Sequence, residues 1–62
     1  MPYLAVNRDG IEVITNDLKN THRYEKGGYW YCRSQIIVLP QGTIEKLIGR
    51  TLTWEDEPVE LK

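Results

Sequence analysis

The chain has 62 residues, of which 40% are hydrophobic and 27% are charged, and its formal net charge is −1. These values exclude the low hydrophobicity and high net charge of a disordered chain, and they lack the basic excess of a general nucleic-acid binder. The length predicts one small β-rich domain over residues 1–62. A chain of this size buries only about 60% of its unfolded surface, so its core is thin. A homodimer would bury more surface and is kept as an alternative to a monomer.

The sequence shows no segment typical of a membrane protein or a secreted protein. The longest apolar run is residues 36–39, whereas a membrane span needs roughly 18 apolar residues. The N-terminus lacks the charged start and long apolar stretch of a signal peptide. A single cysteine, Cys32, cannot form an internal disulfide. We therefore expect a complete cytoplasmic protein that does not bind membranes.

Residues 3–7 and 11–15 predict a β-hairpin at the start of the chain. Both runs are apolar and mostly alternating, and Asp9-Gly10 lies between them. Asp-Gly between two such runs is a strong hairpin signal, because glycine adopts a positive φ without a Cβ penalty.

Two registers of this hairpin fit the sequence. A two-residue loop pairs Val6 with Val13, whereas a four-residue turn with a bulge at Gly10 pairs Ala5 with Val13. A slip of one residue would exchange the two faces of the strand. Asn7 and Gly10 favour the four-residue turn, since they suit the first and last positions of a type I turn.

Residues 16–28 are polar and predict a long loop. Leu18 and Tyr24 are its large apolar side chains, and Gly27-Gly28 ends it. Long loops in compact domains are usually functional or mobile.

The aromatic segment 29–33 follows this loop and favours a strand. Strand geometry would place Trp30 and Cys32 on one face. Residues 36–39 favour a further strand, which ends before Pro40. Ser34-Gln35 between the two strands allows either a tight hairpin or one bent, continuous strand.

The last third of the chain predicts one helix and a return to strand. A short helix is expected over residues 42–49, because three aliphatic residues recur there at the spacing of one helical face. Such a short helix depends on tertiary packing, so this face should cover the sheet. Residues 51–54 and 59–61 alternate and predict one or two short strands. The helical face consists of Ile44, Leu47 and Ile48.

Together these elements predict an α+β fold, with a small antiparallel β-sheet of four to five strands and one short helix packed on it. The expected core combines the inward residues of the strands with the apolar face of the helix. Its members are Leu4 or Ala5, Val6, Val13, Ile14, Trp30, Cys32, Ile37, Leu39, Ile44, Leu47, Ile48, Leu52 and Trp54.

The sequence contains no motif for catalysis, for a metal or for a cofactor. Cys32 and His22 are the only possible nucleophile and base pair. We interpret Cys32 as a small buried hydrophobe and His22 as a solvated side chain. One cysteine and one histidine do not supply a metal site. Asp9 with Glu12, and the acidic residues 55–57, lack the ligand register of a calcium loop and are interpreted as solvated turns. We predict no enzyme activity, no catalytic residues, no metal site and no cofactor.

Residues 22–33 are the best candidate for a binding site, because they interleave cations with aromatic residues. The plain interpretation is that the aromatics are core and the loop is solvated. The mixture of Tyr, Trp and Arg is also typical of protein interfaces, and exposed rings beside cations bind single-stranded nucleic acid. The absence of a basic excess favours a protein partner over nucleic acid. The candidate binding residues are Arg23, Tyr24, Lys26, Tyr29, Tyr31 and Arg33.

Three stretches carry a resemblance to known proteins: residues 37–50 (IVLPQGTIEKLIGR), 52–54 (LTW) and 3–7 (YLAVN). They resemble small uncharacterised proteins of bacterial prophages and mobile elements. The resemblance implies no known activity and no catalytic residues, and it favours accessory roles such as host-factor binding, inhibition of a defence enzyme or regulation. The prediction is a non-catalytic, protein-binding accessory module, with a nucleic-acid-binding or regulatory module as the alternative.

Overall fold

A computed structural model describes residues 1–61. Within this range, the elements are β1 (Tyr3–Val6), β2 (Glu12–Thr15), a 3₁₀ turn (Leu18–Asn20), β3 (Thr21–Tyr24), β4 (Tyr29–Cys32), β5 (Ile37–Val38), α1 (Thr43–Ile48) and β6 (Val59–Glu60). The six strands form two antiparallel sheets, one with the order β5-β2-β1-β6 and one in which β3 pairs with β4. The predicted α+β fold is confirmed, with the strands divided between two sheets.

The β1–β2 hairpin has the four-residue turn that its turn residues favour. Ala5 pairs with Val13, and the amide of Gly10 donates a hydrogen bond to the carbonyl of Asn7 at 2.9 Å. Gly10 has φ +90°, a left-handed conformation that glycine adopts at little steric cost. The register favoured by Asn7 and Gly10 is confirmed.

The four-stranded sheet is covered on both faces. Opposed residues of an antiparallel pair share a face, and successive residues alternate. Leu4 therefore faces one side, where it clusters with Ile44 of α1. Ala5 and Val13 face the other side, where they cluster with Trp30 of β4. The molecule thus has three layers, with the sheet between the helix and the β3–β4 hairpin.

Glu12 joins the sheet to the helix. Only 8% of this residue is exposed, and its two carboxylate oxygens accept hydrogen bonds from the amides of Gly42 and Ile44, both at 2.8 Å. Amides at the start of a helix have no partner within the helix, so Glu12 caps α1 from the neighbouring layer. The interpretation of Glu12 as part of a solvated turn was wrong.

Two predicted elements differ from the structure, and a third was left open by the sequence. The polar segment 16–28 contains the 3₁₀ turn and strand β3, so it is not a continuous loop. Ser34-Gln35 closes no hairpin and lies in no continuous strand, because β4 and β5 belong to different sheets. Of the one or two short strands expected at the end of the chain, the structure has one, β6, and residues 51–54 form none.

Two residues of the expected core are exposed. Ile37 is 50% exposed and Leu47 is 47% exposed, so both predictions were wrong. Ile37 lies on β5, at the edge of the sheet. On α1, Ile44 and Ile48 pack in the cluster with the sheet, which leaves Leu47 on the flank of the helix.

Candidate functional site

The β3–β4 hairpin has two chemically different faces. Trp30 is on the inner face, against the sheet, and Arg23 is its opposed partner. The residues that alternate with these two project outward. We call this outer surface the tyrosine face; it consists of His22, Tyr24, Tyr29 and Tyr31.

The tyrosine face is exposed and grooved. Tyr24, Tyr29 and Tyr31 are 46%, 42% and 51% exposed. The rings of Tyr24 and Tyr29 pack edge to face, with 5.2 Å between their centroids. An open groove of about 320 Å³ is lined by the tyrosine face, with Arg23 in its wall. A contiguous aromatic surface of this kind is typical of an interaction site.

Gly27 allows the two packed tyrosines to lie over the hairpin turn. A Cβ atom at this position would lie 2.7 Å from Cδ2 of Tyr24 and 2.9 Å from Cδ2 of Tyr29. These distances are shorter than real Cβ contacts, so the rings would have to move for any other residue. The turn sequence therefore shapes the tyrosine face directly.

Arg23 is directed inward and is held by several groups. Its guanidinium carbon lies 4.8 Å from the ring centroid of Trp30 and 5.4 Å from that of Trp54. Nη1 is 3.3 Å from the Glu57 carboxylate, and Nη2 donates to the Asp56 carbonyl at 3.2 Å. Contact with two aromatic rings and a carboxylate stabilises the cation where it is. Arg23 thus links the hairpin to the C-terminal segment.

The predicted binding residues divide into three groups in the structure. The three tyrosines share one face, whereas Arg23 belongs mainly to the inner face. Lys26 lies in the hairpin turn and Arg33 lies just after β4, both exposed; among the described residues, neither lines the groove. His22 was not among the predicted binding residues, and its alternation with Tyr24 was the signal that could have placed it on this face.

Trp30 fixes the hairpin on the sheet. Its indole Nε1 donates to the carbonyl of Val6 at 3.0 Å, and its backbone amide donates to Oδ1 of Asn7 at 2.9 Å. Its ring also packs edge to face on Trp54, with 6.0 Å between the centroids. A buried tryptophan with its N–H satisfied is a firm anchor, so the tyrosines project from a well-held strand.

His22 and Cys32 lie on opposite faces of the hairpin. His22 is opposed to Tyr31 on the outer face, whereas Cys32 is opposed to Thr21 on the inner face. The two side chains therefore do not converge as a nucleophile and a base. Cys32 is half-buried and surrounded by hydroxyl groups, in contrast to the apolar setting that the sequence suggested.

The hydroxyls around Cys32 lower the pKa of its thiol to about 6. The largest contribution comes from Thr15, followed by Thr21, and Ser34 adds a smaller one. Each hydroxyl can donate a hydrogen bond to the thiolate and so favours the charged form. Thr15 Oγ1 lies 3.3 Å from Sγ and also donates to the carbonyl of Gln35 at 2.9 Å, so two acceptors share its single proton.

No protein-family model, curated protein or solved structure matches the chain. Over residues 1–61, no helix is long and apolar enough to cross a membrane. In the same range, His, Cys, Asp and Glu side chains form no group of three or more that could hold a metal ion. We therefore propose a function from the geometry of the tyrosine face.

Proposed function

We propose that the protein is a small, non-catalytic, protein-binding accessory module that contacts its partner through the tyrosine face. One observation carries the proposal: three tyrosines, each more than 40% exposed, lie side by side on a hairpin that Trp30 anchors. Tyrosine supplies a large contact area at a low cost in conformational entropy. The resemblance to prophage and mobile-element proteins supports an accessory role, such as host-factor binding, in the host cytoplasm.

The positions of the cations favour a protein partner over nucleic acid. Binding to nucleic acid draws much of its affinity from several phosphate contacts by Lys and Arg. Arg23 already contacts Glu57, and Lys26 and Arg33 lie at opposite ends of the hairpin. Of the predicted binding cations, this leaves two that are separated from each other, on a chain of net charge −1, and they offer few such contacts.

The proposal is tested by affinity capture from a nuclease-treated lysate of the natural host. The baits are the wild type, the double variant Tyr24→Ala/Tyr31→Ala, and the control Leu47→Ala, which truncates an exposed apolar residue on α1. We expect quantitative mass spectrometry to find a protein that the wild type and the control enrich. The double variant should recover it at least about tenfold less, as loss of an interface hot spot predicts.

Two results would count against the proposal. In the first, every captured protein is recovered equally well by the double variant. In the second, proteins are captured only from a parallel lysate without nuclease and are lost from the treated one, which would instead support the nucleic-acid alternative. Circular dichroism of each bait confirms that the variants keep the native fold.

A further inference from the structure

The groove of the tyrosine face is lined by rings and by groups that can donate hydrogen bonds. The tyrosine hydroxyls and the imidazole of His22 carry O–H or N–H donors, whereas the guanidinium of Arg23, in the wall of the groove, is held by Glu57 and Asp56. No carboxylate or carbonyl side chain occurs among the five described residues that line it. Such a groove complements a ligand that is apolar and rich in unpaired acceptors.

A proline-rich segment has this chemistry. A polyproline II helix makes no internal hydrogen bonds, and proline has no N–H, so the segment offers free carbonyls and few donors. Its pyrrolidine rings pack against aromatic grooves.

The spacing of the rings also fits this ligand. The pairs His22–Tyr31 and Tyr24–Tyr29 are successive pairs on one face, so they lie about 6.7 Å apart along the strands. Two residues of a polyproline II helix advance about 6.2 Å. A short segment therefore spans both pairs. The anchored hairpin and the stiff ligand lose little conformational entropy on binding, which favours affinity.

We propose that the tyrosine face binds a proline-rich segment of its partner in the polyproline II conformation. This inference rests on the proposed function and specifies the chemistry of the partner. It assigns the tyrosine rings to packing against pyrrolidine rings. It assigns the tyrosine hydroxyls and the imidazole of His22 to the carbonyls of the ligand.

The test is an NMR titration of the isotope-labelled full-length protein with decaproline. A Gly-Ser peptide and an oligothymidine, each of the same length as decaproline, are titrated separately in the same buffer. We expect saturable shift changes confined to residues 22–31 with decaproline, and none with the other two ligands. Tyr31→Ala should weaken decaproline binding by about tenfold, and Leu47→Ala should leave it unchanged. Tyr31→Phe should weaken binding less than Tyr31→Ala, because it keeps the ring and removes only the hydroxyl. It replaces Tyr31→Ala in the test if that variant does not fold.

Several results would overturn the assignment. These are the absence of saturable shifts with decaproline at millimolar concentration, equal shifts with the Gly-Ser peptide, binding of oligothymidine alone, or decaproline binding that Tyr31→Ala and Tyr31→Phe leave unchanged. A lysate partner that depends on the tyrosines but has no proline-rich segment would also overturn it, while the proposed function would stand. Recovery of lysate partners independently of the tyrosines would instead overturn the proposed function.

Discussion

At the residue scale, Glu12 shows how a charged side chain can serve a thin core. It lies in the middle of the apolar hairpin sequence, yet its carboxylate receives two amide hydrogen bonds from the start of α1. Hydrogen bonds to a charged group are stronger than neutral ones. The carboxylate therefore both satisfies the helix start and fixes α1 against the sheet.

We expect Glu12→Gln to lower the free energy of unfolding by about 2 kcal/mol, in the range for hydrogen bonds to charged groups. Glutamine keeps the size of the side chain but has one acceptor oxygen, so the amide of Gly42 or Ile44 would face an NH₂ group. Urea denaturation measures the change. Glu55→Gln, at an exposed position, is the control and should stay within about 0.5 kcal/mol of the wild type. Equal stability of the two variants would contradict the capping role.

The Cys32 thiol provides a second prediction at this scale. We expect its alkylation by iodoacetamide to rise with pH around a midpoint of about 6, since the thiolate is the reacting form. The urea-unfolded protein is the control, with a midpoint near the ordinary value of 9.0. Thr15→Val removes the main donor and should raise the native midpoint. A native midpoint equal to that of the unfolded chain would show that the hydroxyls do not act on the thiol.

The lowered pKa of Cys32 also makes stability depend on pH. Between about pH 6 and pH 9.0 the folded thiol is ionised while the unfolded thiol keeps its proton. The unfolded state then binds more protons, so the free energy of unfolding rises with pH. This contribution is complete above pH 9.0 and is lost as the pH falls to about 6. Urea denaturation across this range should show a slope that Cys32→Ala removes, and a parallel profile for the variant would refute the linkage.

At the element scale, the β3–β4 hairpin shows why a strand can escape sequence analysis. One face of β3 carries His22 and Tyr24 toward solvent, and the other carries Thr21 and Arg23 inward. Its inward positions are thus polar, so the usual alternation of apolar and polar residues is missing. The pairing of β3 with the aromatic strand β4 stabilises it as a strand.

We expect Gly27→Ala to disturb this hairpin at the tyrosine pair. The added Cβ would clash with the rings of Tyr24 and Tyr29 and force them to move, and an aromatic pair contributes about 0.5–1.5 kcal/mol beyond its buried area. Thermal unfolding should therefore show a loss of about 1 kcal/mol, and NMR should show weaker contacts between the two rings. Lys26→Ala, in the same turn, is the control. Unchanged ring contacts in Gly27→Ala would contradict the steric argument.

At the scale of the whole molecule, both faces of a narrow sheet are covered by small elements. The helix contributes Ile44 to one cluster and the hairpin contributes Trp30 to the other. A small domain gains only a few kcal/mol of net stability from its core. Each anchor of this kind therefore carries a large share of the stability.

The contrast between Trp30 and Tyr31 tests this layered arrangement. We expect Trp30→Ala to cost about 3–5 kcal/mol, which is comparable with the whole stability of a small domain. Tyr31→Ala, one residue further and on the opposite face, should cost less than about 1 kcal/mol. Urea denaturation of both variants measures the difference. Similar losses for both would show that the hairpin does not cover the sheet through Trp30.

Three of the four residues of the tyrosine face could be predicted from the sequence. Tyr24, Tyr29 and Tyr31 stand beside cations, a mixture that is typical of interfaces, and their exposure agrees with a surface role. His22 was not among the predicted binding residues, and Arg23 was grouped with the exposed cations. Both differences follow from interpreting β3 as a loop, since a loop has no faces to which its side chains can be assigned.

The sequence by itself determined the features that depend on near neighbours. The turn at Asn7 and Gly10 follows from local backbone preferences. The position of the helix follows from the spacing of its aliphatic residues and from the stop at Gly49. The tertiary structure alone decided which surfaces are covered. Glu12 accepts hydrogen bonds from amides about thirty positions away and so caps α1, and Arg23 is held on the inner face by contacts with Trp54 and Glu57. These contacts depend on how the three layers stack. Many long-range contacts together set this stacking, and such contacts leave no periodic pattern in the sequence.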